Sequence, residues 1–96
     1  MIRFEWDPCK NQININKHGV SFKEASTVFE DDDAILFDGP DHSEEEERFL
    51  ILGLSKKLNL LIVSHCYRRD DSTIRIISAR KASRSEENTY IEFRKG

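Results

Sequence analysis

Between Leu58 and Arg84 stand His65, Tyr67, Arg68, Arg69, Arg75, Ser78, Arg80, Lys81 and Arg84, side chains able to hold an anion or move a proton. A guanidinium stays charged at any physiological pH and grips two phosphate oxygens at once, so Arg68, Arg75 and Arg80 suit a phosphate whose charge grows during reaction. Lys81, Arg84 and Arg69 add cations for binding the rest of such a ligand. His65 is the best acid or base by intrinsic pKa, with Tyr67 a weaker one and His18 and His42 further off in the sequence. The set fits acid–base chemistry on a phosphate ester. Each member also has a plainer role. His65 and Tyr67 sit among strand aliphatics and read equally as packing, and a mid-strand Arg75 or Arg80 pairs either with an anion or with a carboxylate such as Glu47 or Glu24. His18, beside Gly19, suits the carbonyl end of a helix.

Metal chemistry finds no support in the spacing. His18, His42 and His65 form no ligand motif, and the acidic runs are contiguous rather than alternating. Cys9 and Cys66 lie in no metal or redox spacing and are expected as free thiols. No metal and no cofactor is expected.

The elements that must position these groups are two β-rich runs, Leu60–Tyr67 and Thr73–Arg80, separated by the polar cluster Asp70–Ser72. They read as a hairpin. With a four-residue loop, Arg68 faces Thr73 and Ser64 faces Ile77. One face then presents Ser64, Cys66, Arg68, Arg75 and Lys81. The other presents Leu61, Val63, Ile74 and Ile76 with His65, Tyr67, Ser78 and Arg80.

Upstream, Met1–Trp6 alternates like a half-buried strand, and Asp7 with Pro8 opens a helix that Gly19 ends. Ser21 and Glu24 have capping-box spacing before a second helix with Phe22, Ala25, Val28 and Phe29 on one face. Ala34–Asp38 and Arg48–Ser55 are strands. Ser83, with Ser85 the lesser candidate, caps a terminal helix, Arg84–Phe93, and Ser83 and Glu86 have the spacing of another capping box. The order β-α-α-β-β-β-β-α predicts an α+β, two-layer domain spanning residues 1–96, with an antiparallel sheet of four to five strands and helices packed on one face.

The 96 residues carry 38% hydrophobic and 34% charged side chains, and no apolar run is long enough to cross a bilayer, so a cytoplasmic location without membrane contact is expected. The formal charge is −3, but it is divided. Lys23–Glu47 holds eleven acidic residues and one basic, whereas Arg48–Arg84 holds nine basic and two acidic. A basic half attracts phosphates despite an acidic total.

Several segments are specific: Phe4–Asp7, Lys10-Asn11, Asn14, Lys17-His-Gly-Val-Ser-Phe22, Glu24-Ala25, Val28-Phe29, His42-Ser43, Glu47–Phe49, Gly53–Ser55 and Arg75-Ile-Ile-Ser-Ala-Arg-Lys-Ala82. Together they resemble the BrnT family, from Phe4 to Tyr90. The resemblance implies a RelE-like ribonuclease fold and a type II toxin that inhibits translation by cutting RNA. The cations and histidine of the hairpin, with no metal-ligand set beside them, lead one to expect metal-independent cleavage. The resemblance further implies silencing by a BrnA-like ribbon-helix-helix antitoxin, which alone contacts operator DNA and brings two toxin chains into one complex. The acidic Asp31–Asp33 and Glu44–Glu47 are heavier than such a protein leads one to expect. A second reading keeps the fold without catalysis: a nucleic-acid- or protein-binding module that acts as a co-regulator with its antitoxin.

Overall fold

The computed structural model describes residues 2–42, 47–68 and 72–96, with the backbone alone at 40–42. The elements follow the expected order: β1 (Arg3–Glu5), α1 (Pro8–His18), α2 (Phe22–Ser26), a 3-10 turn (Thr27–Glu30), β2 (Ile35–His42), β3 (Glu47–Leu54), β4 (Leu60–Tyr67), β5 (Thr73–Lys81) and α3 (Arg84–Lys95). Local chemistry sets their ends. Asp7 accepts a hydrogen bond from the Cys9 amide with Pro8 at the first helical position, and Gly19 closes α1 at φ 71°, the left-handed region that suits glycine. Ser83 and Glu86 form the full reciprocal capping box of α3. Ser21 caps α2 in the same way, but its expected partner is diverted: the Glu24 carboxylate is buried and accepts from the Ser55 hydroxyl at 2.7 Å and the Asn59 amide at 2.8 Å.

The sheet has the order β1-β5-β4-β3-β2. β2 to β5 form the expected antiparallel meander, but β1 joins β5 in parallel, so the sheet is mixed rather than purely antiparallel. Alternation in Met1–Trp6 carries no information on direction, and the partner strand lies some seventy residues away.

A second correction concerns the helices. Val20, Phe22, Ala25 and Val28 pack with Ile51, Leu61, Val63, Ile76 and Ala79 in one core cluster, whereas Tyr90 of α3 packs with Ile35, Leu52 and Ile62 in another. Ile51 and Leu52 are neighbours in one strand and therefore point to opposite faces. Thus α1 and α2 cover one face, and α3 covers part of the other. Its anchor is Tyr90, whose hydroxyl donates to Asp31 at 2.6 Å, while the same carboxylate accepts from the Leu54 amide at 2.8 Å. Gly53 lies under this junction: a Cβ there would meet Val28 Cγ1 at 2.8 Å and Ala34 Cβ at 3.0 Å.

The hairpin keeps the expected start, with the Arg68 amide donating to Thr73 at 3.0 Å, and Tyr67, Cys66 and His65 facing Ile74, Arg75 and Ile76. Between His65 and Ser64 the register shifts, so Ser64 pairs with Ser78 rather than Ile77. This bulge reverses the remainder of β5. Ser78 and Arg80 move to the face of Ser64, Cys66 and Arg75, and Lys81 moves to the face of Leu61.

Candidate functional site

Parallel pairing of β1 with β5 sets Glu5 beside Arg75. Arg75 Nη1 donates to Glu5 Oε2 at 2.8 Å, and Arg68 Nε stands 3.6 Å from the same oxygen. The three side chains are between 32% and 44% exposed, so the cluster is open to solvent and its ion pairs contribute only about 0–1 kcal/mol each. An incoming anion can exchange for Glu5 at little cost. Beneath lies buried Cys66, the cross-strand partner of Arg75. By alternation Arg48 shares this face, and its half-buried guanidinium has an Nε sealed from solvent without a hydrogen-bond partner among the described residues.

His65 and Tyr67 stand on the reverse face. The imidazole is fully buried, with the Phe29 ring edge-on at 4.8 Å and the Tyr67 ring at 5.5 Å. Its Nδ1 lies 3.2 Å from the Val63 carbonyl and its Nε2 has no hydrogen-bond partner among the described residues. Burial lowers its pKa below the usual 6.5, only partly offset by the bond to Val63, so the ring is held neutral. Tyr67 is 39% exposed and packs against Phe49 at 5.4 Å.

Arg80 is engaged elsewhere. Its guanidinium makes a two-point contact with Glu86, at 2.8 and 3.0 Å, and so clamps the start of α3 to the end of β5. Lys81 and Arg84 are exposed. Arg69 lies outside the described residues, as does the His42 side chain. Of the side chains singled out in the sequence, the fold brings Arg68 and Arg75 together and separates both from His65, Tyr67 and Arg80. Glu5 was missed. Its signal was its place on the polar side of the first strand, but only the distant pairing with β5 gives it two arginines. Among the described residues no three His, Cys, Asp or Glu side chains gather as a metal's ligand set, and no helix is long and apolar enough to cross a membrane.

This sequence and its mixed five-stranded sheet with helices on both faces have counterparts among known proteins. The family model described as the ribonuclease toxin BrnT of type II toxin–antitoxin systems matches residues 6–86. This places the chain among the toxins of type II toxin–antitoxin systems. Within that class, the chain belongs to the BrnT family of ribonuclease toxins. The fold agrees: the crystal structure of the Brucella abortus ribonuclease toxin BrnT superimposes with a TM-score of 0.65 at 26% identity, covering 88% of this chain and 100% of that one. No curated protein matches the chain.

Proposed function

We propose that the chain is a metal-independent endoribonuclease that cuts RNA to inhibit translation, and that the reaction takes place at Glu5, Arg68 and Arg75. The observation that carries this reading is the Glu5 carboxylate held 2.8 Å from Arg75 with Arg68 beside it, half-exposed at a sheet edge. A phosphate displaces Glu5 from the guanidiniums, which then hold the oxygens where charge accumulates. The freed carboxylate accepts the proton of the ribose 2′-hydroxyl as that oxygen attacks phosphorus, and water at the open strand end protonates the departing 5′-oxygen. Tyr67 offers an exposed aromatic face to a base. His65, sealed in its aromatic cage, holds the strand, and Arg80 holds α3.

In the same reading a BrnA-like ribbon-helix-helix antitoxin silences the cluster by covering the hairpin, contacts operator DNA on behalf of both proteins and pairs two toxin chains. The test is cleavage of a defined RNA by purified protein. Glu5→Gln is expected to lower kcat by about 10²-fold to 10⁴-fold while leaving the fold intact. A folded Glu5→Gln protein with the parent rate would remove Glu5 from the mechanism.

A further inference from the structure

The chain carries 18 acidic and 15 basic side chains, yet α1 and β5, which pack together, contain no carboxylate at all. α1 (PCKNQININKH) has Lys10, Lys17 and His18, and β5 (TIRIISARK) has Arg75, Arg80 and Lys81. β1 leaves the edge of β5 after Glu5, and α1 then covers the rest of that edge. Where they meet, at the bulge, lies a cleft of about 190 Å³ lined by Lys10, Asn14, Lys17, His18, Ile77 and Ser78. The Asn14 amide is spent on backbone groups of Val20 and Ala79. The remaining polar ends, two ammonium groups, an imidazole and a hydroxyl, have no hydrogen-bond or ion-pair partner among the described residues.

Geometry suits a chain of phosphates. Lys10 and Lys17 are two turns apart on one helix face, roughly 10 Å along the axis, and so bracket the cleft. Ser78 is three positions beyond Arg75 on β5, roughly 10 Å at the rise of a strand. His18 and Ser78 can each donate a hydrogen bond whatever the protonation of the imidazole. A solvated helix face accounts for lysines at random positions, but not for their convergence with a histidine and a serine on a cleft whose walls both lack acids.

We propose that this cleft is a phosphate subsite for single-stranded RNA, holding the strand along β5 beyond the phosphate that meets Arg68 and Arg75. The inference rests on the ribonuclease reading for its ligand, but assigns residues that take no part in the chemistry.

The experiment is the salt dependence of binding, by fluorescence anisotropy, of a labelled RNA whose 2′-positions are methylated so that no attacking hydroxyl exists. Wild type is compared with Lys10→Gln/Lys17→Gln and with Lys56→Gln/Lys57→Gln, which removes the same charge elsewhere. Each phosphate contact on a single strand contributes about 0.7 to the slope of log affinity against log salt. The Lys10/Lys17 pair is therefore expected to lower the slope by about 1.4, and the Lys56/Lys57 pair to leave it unchanged. Equal slopes for wild type and the Lys10/Lys17 pair, or equal losses in both double variants, overturn the subsite. A slope that depends on Lys10 and Lys17 in a protein that fails to cut unmodified RNA supports the subsite and rejects the ribonuclease reading instead.

Discussion

The side-chain amide of Asn14 binds both backbone groups of Ala79: Nδ2 donates to the Ala79 carbonyl at 2.8 Å, and Oδ1 accepts from the Ala79 amide at 3.1 Å. One residue of α1 thereby does the work of a neighbouring strand on the outer edge of β5. A further bond, from Nδ2 to the Val20 carbonyl at 2.8 Å, ties in the turn after the helix. All three are buried. Asn14→Ala strands three backbone groups, and is expected to destabilise the protein by about 3 kcal/mol in urea unfolding. Asn14→Asp should fail similarly, since a carboxylate satisfies the Ala79 amide but repels two carbonyls.

Buried His65 makes stability depend on pH near neutrality. Its folded pKa lies below 6.5, so between that folded value and 6.5 the unfolded chain binds more protons than the native one. The associated stability is fully present above 6.5 and is lost as pH falls through this window. Melting temperatures taken from pH 8 to pH 5 should fall for wild type, and fall less for His65→Phe, which keeps an aromatic ring against Phe29 and cannot titrate. Parallel curves for the two proteins would place the pH dependence elsewhere.

Glu86 acts in a lower range. The hydrogen bonds from Arg80, reinforced by the Ser83 amide, hold its carboxyl down at about 2 against an ordinary 4.5. Its contribution is present above 4.5 and disappears as pH falls through about 2. Because Arg80 is 45% exposed, solvent screens much of it. Glu86→Gln is expected to lower the melting temperature at pH 7 by a few degrees, with the gap closing at pH 2; a constant gap would mean that the capping box, not the ion pair, is responsible.

RNA cleavage is expected to persist in EDTA, and Arg68→Lys and Arg75→Lys are each expected to lose most of the activity, because an ammonium cannot bridge two phosphate oxygens. Arg80→Lys should mainly loosen α3. Cleavage lost on chelation and restored by a divalent ion would contradict the proposed chemistry.

Binding of the antitoxin should protect the hairpin. Hydrogen exchange with and without it is expected to slow at Leu60–Lys81 and Arg84–Phe93. Protection confined to β2, with the hairpin unchanged, would show silencing from a remote surface.

How much of this was legible in the residues depends on whether the signal was local. Asp7, Gly19 and Ser83 mark helix ends by chemistry confined to one turn, and all three hold. The limits of β4 were readable because its aliphatics are bounded by turn residues. Glu24 looked like half of a capping box, yet it is taken up by Ser55 and Asn59, more than thirty residues on. The bulge at Ile77 leaves no mark in a run of two isoleucines, so the faces of Ser78, Arg80 and Lys81 were assigned wrongly while those of Arg68 and Arg75 were right. Glu5 illustrates the same limit. Nothing near it in the chain tells which arginines it will meet.

The parallel pairing of β1 with β5 also fixes when the cluster comes into being during synthesis. Glu5 is made seventy residues before Arg75, so the arginine–carboxylate cluster is missing from every nascent chain that stops short of β5. A contact closing so much of the chain carries a large loop-closure entropy and forms slowly relative to the local helices and the β3–β4 hairpin. In this protein the arginine–carboxylate cluster is therefore completed late, and a translation product truncated before β5 carries Glu5 without the Arg75 that binds it.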